Sequence, residues 1–114
     1  MAYNEYLQER INLILNEKKV QFEAKKMMGG LCYLIDDKMC IGIVKDDLMA
    51  RVGTEEYDAL IKREGTRPMD FTKRPMKGYI YVAPVGVDFD TDLEFWVQKC
   101  LDFNPFAKAS KKKK

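Results

Sequence analysis

The chain has 114 residues, of which 46% are hydrophobic and 33% are charged, and its formal net charge is +2. This length is enough for one hydrophobic core, and the composition excludes the fibrous and intrinsically disordered classes. The apolar runs are far shorter than the roughly 20 residues of a membrane-spanning helix, and the first residues lack the basic and apolar segments of a secretory signal. We therefore expect a single domain located in the cytoplasm.

The first half of the chain is predicted to form a helix followed by an antiparallel meander. Between residues 3 and 18 the apolar residues recur at steps of three and four, which indicates an amphipathic helix. Four short runs rich in β-forming residues follow, separated by short connections rich in Gly and Asp. These runs cover residues 20–27, 31–35, 39–44 and 48–52.

The fourth run also indicates which side chains point toward the core. Leu48, Ala50 and Val52 alternate with Met49 and Arg51. The first three should therefore face the core, and Arg51 should lie on the opposite face. One face of the sheet is expected to be covered and the other to be more exposed to water.

The second half of the chain is predicted to form a helix, a strand and a final helix. Thr54 precedes two acidic residues, which is typical of a helix N-cap, and this helix should run to about Arg63. A strand is expected over residues 79–82, and residues 91–94 have the capping-box pattern that begins a helix. The final helix carries an apolar stripe that should pack against the sheet. The stripe consists of Leu93, Trp96, Val97, Cys100 and Leu101.

These elements predict an α+β fold with two layers, in which helices pack mainly on one face of an antiparallel sheet. The order is helix, strands, helix, strand, helix. We assign residues 1–107 to this single domain and the lysine-rich residues 108–114 to a disordered tail. Without Lys108 and the four lysines at 111–114, 15 basic residues face 18 acidic ones, a net charge of −3. The tail alone offers nucleic acid only a weak, salt-sensitive attraction.

Few groups in the sequence could perform catalysis or hold a metal. There is no histidine, the commonest general base, and neither of the glycine motifs that bind nucleotide phosphates occurs. Cys32, Cys40 and Cys100 lack the spacing of a zinc site or a disulfide framework, so we expect buried, reduced thiols. Acidic pairs such as residues 36–37 are better explained by turn formation than by metal binding. We expect neither an enzyme nor a bound cofactor or metal.

One segment, residues 65–78, departs from the pattern of a purely structural connection. It contains the tripeptide Arg-Pro-Met twice, at residues 67–69 and 74–76. Paired guanidinium groups beside Met and Phe suit a carboxylate, a phosphate or an acidic patch on a partner. The alternative is that both arginines pair with acidic residues of the chain itself while the apolar residues fill the core. The candidate partner-binding residues are Arg67, Arg74, Lys73, Lys77, Arg51, Gly29, Gly30, Met69 and Met76.

The same segment carries a family resemblance that extends over most of the chain. Its pattern, Arg-Pro-Met-x-Phe-Thr-x-Arg-Pro-Met, is highly specific, and further segments stand in matching order and spacing. Those segments are residues 27–32, 38–39, 51–53, 78–82 and 96–97. On these residues the chain resembles the TfoX amino-terminal domain family, also called Sxy, over roughly residues 5–106.

The resemblance implies a two-layer fold with an antiparallel sheet. It also implies a place in a bacterial family whose better-known members promote transcription of DNA-uptake genes alongside the cyclic-AMP receptor protein. Full-length regulators of this kind carry a second, helical carboxy-terminal domain, which we do not expect in this chain. The sequence departs from the family at Asp36 and Asp37, where members often have a Gly-containing turn, and at Lys73, where Gly is usual. The family implies no agreed set of catalytic residues, so none is assigned.

Two functional hypotheses follow from these observations. The leading one is a stand-alone, non-enzymatic regulatory module that docks a protein partner, with the transcription machinery as one candidate. It would use residues 67–77, Arg51 and the Gly29-Gly30 turn. The alternative is a nucleic-acid-binding accessory protein that uses the same basic loop and the lysine tail, which the body charge of −3 disfavours. The sequence leaves open whether the chain is a monomer or a homodimer.

Overall fold

A computed structural model of the chain describes residues 4–27, 30–68 and 78–107. Within these residues the chain forms six strands, three α-helices and two short 3-10 turns. The helices are α1 (Glu5–Glu17), α2 (Tyr57–Leu60) and α3 (Asp90–Phe103), and the 3-10 turns are Pro84–Val87 and Asn104–Phe106. The strands are β1 (Glu23–Met27), β2 (Gly30–Ile35), β3 (Lys38–Val44), β4 (Asp47–Arg51), β5 (Thr66–Pro68) and β6 (Tyr79–Val82).

The strands form one sheet in the order β1-β2-β3-β4-β6-β5, and every neighbouring pair is antiparallel. The first four strands are the predicted meander. The β2–β3 hairpin closes through Asp36 and Asp37, whose φ angles of 57° and 65° lie in the left-handed region that a tight two-residue turn requires. The predicted α+β fold with an antiparallel sheet is confirmed.

Helices α1 and α3 pack against the same face of the sheet. Helix α1 buries Leu7, Ile11 and Leu15. Helix α3 buries Leu93, Trp96, Val97 and Cys100, as predicted for its stripe, whereas Leu101 is partly buried against the core. The sheet residues in the same core include Ile41, Ile43, Leu48, Ala50, Val52 and Ile80. The predicted inward orientation of Leu48, Ala50 and Val52 is confirmed, and so is the burial of all three cysteines.

Several predicted element boundaries were wrong. Helix α1 is shorter than the predicted range and begins after Asn4, whose side chain accepts a hydrogen bond from the Leu7 N–H. Helix α2 has four residues and starts after Glu56, so Thr54 is not its N-cap. Helix α3 starts after Phe89, which makes no capping hydrogen bond with its side chain, so the predicted capping box is not the helix start.

Strand β5 was not predicted, because the sequence indicated an irregular segment there. It has only three residues, Thr66–Pro68, and it pairs with β6 at the edge of the sheet. Pro68 is tolerated because an edge strand does not need every backbone N–H for pairing. Among the described residues, no helix is long and apolar enough to cross a membrane.

Candidate functional site

We call the face of the sheet opposite α1 and α3 the second face. It carries Arg51 and Arg67, the two candidate arginines among the described residues. One cross-strand row crosses all six strands on this face, because directly opposed residues of antiparallel strands share a face. The row consists of Lys25, Cys32, Gly42, Met49, Tyr81 and Arg67. Arg51 and Tyr79 are opposed to each other two positions along β4 and β6, so they lie on the second face too.

Arg67 is held at the edge of the second face by two contacts. Its guanidinium carbon lies 4.7 Å from the centroid of the Tyr81 ring. Its Nη2 donates a hydrogen bond to Oδ2 of Asp47 at 2.6 Å, and the two side chains are 51% and 19% exposed. Arg67 therefore reaches from β5 across β6 to β4 and keeps half of its surface in solvent. The expectation that Arg67 could pair with an acid of its own chain is met, although the pair is only partly buried.

Arg51 has a similar arrangement at the end of β4. Its Nη1 donates a hydrogen bond to the carbonyl oxygen of Met39 at 3.1 Å. Its guanidinium carbon lies 5.4 Å from the Tyr79 ring centroid and 5.9 Å from that of Phe103 in α3. Both arginines thus lie over the tyrosine of the neighbouring strand, and stacking on an aromatic ring fixes the plane of a guanidinium group.

The middle of the second face is apolar and closely packed. Cys32 and Met49 are buried, yet neither belongs to the core that the helices cover. The Met49 side chain lies over Gly42, where a Cβ atom would be only 2.5 Å from the Met49 methyl carbon. Burial, with a smaller contribution from the nearby Cys40, raises the pKa of the Cys32 thiol to about 11, against opposing effects of Arg51 and Lys25. The Cys32 thiol is therefore protonated at neutral pH and is a poor nucleophile.

The thiol of Cys100, on the helix side of the sheet, is also less acidic than an ordinary thiol. Burial raises its pKa well above the ordinary value, and Cys40 adds to the shift through a hydrogen bond and through its charge. Neither thiol has the depressed pKa of a reactive cysteine. Among the described residues, no group of three or more His, Cys, Asp or Glu side chains is placed to hold a metal ion.

The remaining sequence-predicted site residues divide into two groups. Gly30 is buried at the start of β2, where a Cβ atom would collide with the carbonyl oxygen of Ile43 in β3. This close backbone approach explains the glycine there. The other predicted site residues fall outside the described ranges: Gly29, Met69, Lys73, Arg74, Met76 and Lys77.

Four residues of this arrangement were not singled out from the sequence. They are Asp47, Tyr79, Tyr81 and Phe103, which contact the two arginines. Tyr79 and Tyr81 alternate within a strand, and this spacing alone placed them on one face. The identity of that face depends on β6 lying between β4 and β5 in the sheet, an order that does not follow the sequence.

The second face thus combines features typical of protein recognition surfaces. Arginine, tyrosine and methionine are the residue types enriched at such surfaces, and rigid or stacked side chains lose little conformational entropy on binding. Arg67 presents a charged, flat group at the edge, and Met49 and Tyr81 lie beside it in the same row. A flat guanidinium group of this kind has the donor geometry that matches a carboxylate.

Comparison with known protein families gives one clear relationship. The family model described as the TfoX N-terminal domain matches residues 17–104, which include every strand of the sheet and helix α3. No match was found among curated proteins, and none was found among solved structures.

Proposed function

The chain belongs to the TfoX N-terminal domain family, and from that premise we propose that it is a non-enzymatic regulatory module that docks a protein partner through the second face. The family match points to a competence-related regulatory family. The partner would supply a carboxylate-rich surface that meets Arg67 and Arg51. The transcription machinery, in the cytoplasm, is the first place to search for it, given the regulatory role of the family.

The observation that carries this proposal is the pair of arginines stacked on neighbouring tyrosines. The Arg67 side chain is 51% exposed although it makes an ion pair at 2.6 Å, so it is ordered and still accessible to a partner. Ordering the side chain before binding reduces the entropy that association must overcome. Arginine and tyrosine are also among the residue types enriched in interface hot spots, and here the guanidinium groups lie over partly exposed tyrosines.

A second candidate function is binding of single-stranded nucleic acid to the same face, because stacked bases favour aromatic residues on a sheet. The contacts around the two tyrosines argue against it. A guanidinium group already covers one side of the Tyr79 ring and of the Tyr81 ring, which leaves less ring surface for a base. The Asp47 carboxylate next to Arg67 would also repel phosphates. Protein docking is therefore the better-supported function.

The test is affinity capture of a partner from native lysate, with and without nuclease treatment, using the wild-type protein and two matched variants. Arg67→Ala removes the exposed guanidinium group of the second face. Arg63→Ala is the control, because Arg63 is also exposed and also lies over a ring, 4.0 Å from the Phe95 centroid, but outside the second face. We expect Arg67→Ala to abolish capture, Arg63→Ala to retain it, and nuclease to have no effect.

Two results would contradict the proposal. Equal loss of capture in both variants would show that general charge, and not the second face, attracts the partner. Loss of capture after nuclease treatment, together with DNA binding that weakens steeply as salt is raised, would favour the nucleic-acid function instead.

A further inference from the structure

A groove at the end of α3 lies beside the Arg51 end of the second face and shares with it the Phe103 ring, over which Arg51 lies. It lies between the loop that follows β4 and the last turns of α3, and it has a volume of about 330 Å³. Its wall residues include Gly53, Glu55 and Glu56 from the loop, and Asp102, Phe103 and Phe106 from the helix and the turn after it. This volume matches one or two side chains of a bound segment more closely than a complete large ligand.

The apolar part of the groove is formed by two phenylalanines with different roles. The Phe103 ring packs directly on Gly53, where a Cβ atom would be 2.5 Å from two ring carbons, and the Gly53 φ angle of +87° also favours glycine. Phe103 is therefore fixed by the fold. Phe106, by contrast, is 79% exposed, the most exposed large hydrophobic residue among the described ones. An exposed aromatic ring at the rim of a groove is available to cover an inserted apolar side chain.

The rim of the groove is acidic. Glu55, Glu56 and Asp102 line it together with a single cation, Lys99, whose Nζ makes an ion pair with Glu56 Oε1 at 2.8 Å. Three acidic groups against one basic group leave the rim with a charge of −2. Asp102 accepts a hydrogen bond from Gln98, which orients the carboxylate without neutralising it. A ligand with positive charge on either side of an apolar group complements this surface.

We propose that this groove binds a short basic segment of another protein, with one apolar side chain inserted between Phe103 and Phe106 and with lysine or arginine residues meeting Glu55 and Asp102. The charge of the rim disfavours nucleic acid and acidic peptides as occupants. Arg67 does not line the groove, so Arg67→Ala tests the proposed function and Phe106→Ala tests this proposal, and each can fail separately.

The experiment is a titration of the full chain with a synthetic pentapeptide that has a central phenylalanine between two pairs of lysines. Isothermal titration calorimetry or the shifts of amide NMR signals measure the binding. A peptide with glutamates in place of the lysines and one with alanine in place of the phenylalanine are the ligand controls. Phe106→Ala should weaken binding about tenfold, since an aromatic hot-spot contact contributes on that scale. Phe89→Ala is the matched protein control, because Phe89 is 70% exposed at the opposite end of α3, and it should leave binding unchanged.

Three outcomes would overturn the proposal. The first is absence of saturable binding of the lysine peptide at concentrations up to about 10 mM, beyond which an interaction is negligible. The second is equal weakening by Phe106→Ala and Phe89→Ala. The third is a gain in peptide affinity of more than about tenfold when residues 108–114 are removed. Such a gain would mean that this lysine-rich segment of the chain itself occupies the groove and competes with the peptide, because a tethered segment has a high effective concentration. Unchanged affinity after that removal, with weakening by Asp102→Asn, would support the proposal.

Discussion

The two faces of the sheet achieve burial by different means. The helix-covered face is filled by branched and aromatic side chains from α1, α3 and the strands, which form one core. The second face buries Cys32 and Met49 outside that core, beside glycines in β2 and β3, and is bordered by Arg51 and Arg67 over their tyrosines. The first face is built for stability. The second uses small residues and flat polar groups, and a surface of that kind can remain ordered while it stays available to a partner.

The largest expected effect belongs to the helix-covered face. Trp96 is 1% exposed and packs in the core beside Phe95, with the two ring centroids 5.5 Å apart. Trp96→Ala should lower the free energy of unfolding by about 3–5 kcal/mol, as a large cavity replaces a buried ring. Denaturant unfolding measures it, and Phe89→Ala, at an exposed aromatic position, should change stability by less than about 0.5 kcal/mol. Similar losses in both variants would contradict the assignment of the core.

Gly30 tests whether the second face depends on close backbone contact. A Cβ atom at this position meets the backbone of Ile43, which cannot move away as a flexible side chain could. Gly30→Ala should therefore cost about 2–3 kcal/mol, at the upper end of the range for overpacking. Ala24→Ser on the exposed edge strand β1 is the control and should have little effect. A Gly30→Ala protein of normal stability that no longer bound its partner would instead support a direct binding role for Gly30.

Cys32 gives a pH-dependent test of burial on the second face. Its pKa of about 11 in the folded protein is above the ordinary value of 9.0, so the folded state holds its proton more tightly than the unfolded state does. Between those two pH values the unfolded state binds fewer protons, and stability must fall as the pH rises. The loss should reach about 2 kcal/mol by pH 11. Cys32→Ala should remove this part of the decline in stability and leave the part that arises from Cys100. Identical profiles of stability against pH for the wild type and the variant would contradict the burial of Cys32.

The sequence predicted the helix-covered face better than the second face. The physical reason is that the first face shows in local sequence patterns, whereas the contacts of the second face join residues far apart in the sequence. Alternation of Leu48, Ala50 and Val52 and the stripe around Trp96 are local patterns, so they identified the core. The arginine contacts depend on strand order. Arg67 meets Tyr81 only because β5 pairs with β6 across a connection of ten residues, and β4 pairs with β6 rather than with β5.

Errors at element ends have a different cause. The capping-box pattern at residues 91–94 is real in the sequence, but α3 starts earlier, and Arg10 is bound to that start. Its Nη2 donates to the carbonyl oxygen of Val87 at 2.8 Å and makes an ion pair with Asp90 at 3.2 Å. A tertiary contact between the first and last helices is thus present where the helix begins, and it competes with the local signal. Such contacts cannot be identified from spacing along the chain.

The Arg67–Asp47 pair measures how much of the second face is structural. Because Arg67 is half exposed, the pair should contribute only about 0.5–1 kcal/mol to the free energy of unfolding. A double-mutant cycle with Arg67→Ala and Asp47→Ala isolates that coupling from the stacking of Arg67 on Tyr81. A loss of about 3 kcal/mol or more in either single variant is the cost of breaking a buried pair. It would show that Arg67 is a structural clamp, and the proposed docking role of the second face would then lose its main support.

The smallest expected effect is a gain in stability at the β2–β3 hairpin, which both faces of the sheet share. Asp37 has a φ of 65°, and aspartate tolerates the left-handed region at some cost, whereas glycine adopts it without steric penalty. Asp37→Gly should raise the free energy of unfolding by about 0.5 kcal/mol, because the relief of strain slightly exceeds the added entropy of the unfolded chain. Asp46→Gly is the matched control in the β3–β4 turn. Asp46 has no positive φ and accepts a hydrogen bond from Asn4 at 3.3 Å, so glycine there should destabilise the protein. Thermal unfolding of both variants measures the difference, and a loss of stability in Asp37→Gly would mean that the aspartate side chain itself stabilises the turn.

Because neither substitution alters a side chain on the second face, partner capture by the Asp37→Gly protein should equal that of the wild type. A change in capture would place the hairpin tip within the docking surface and extend that surface beyond Arg51 and Arg67.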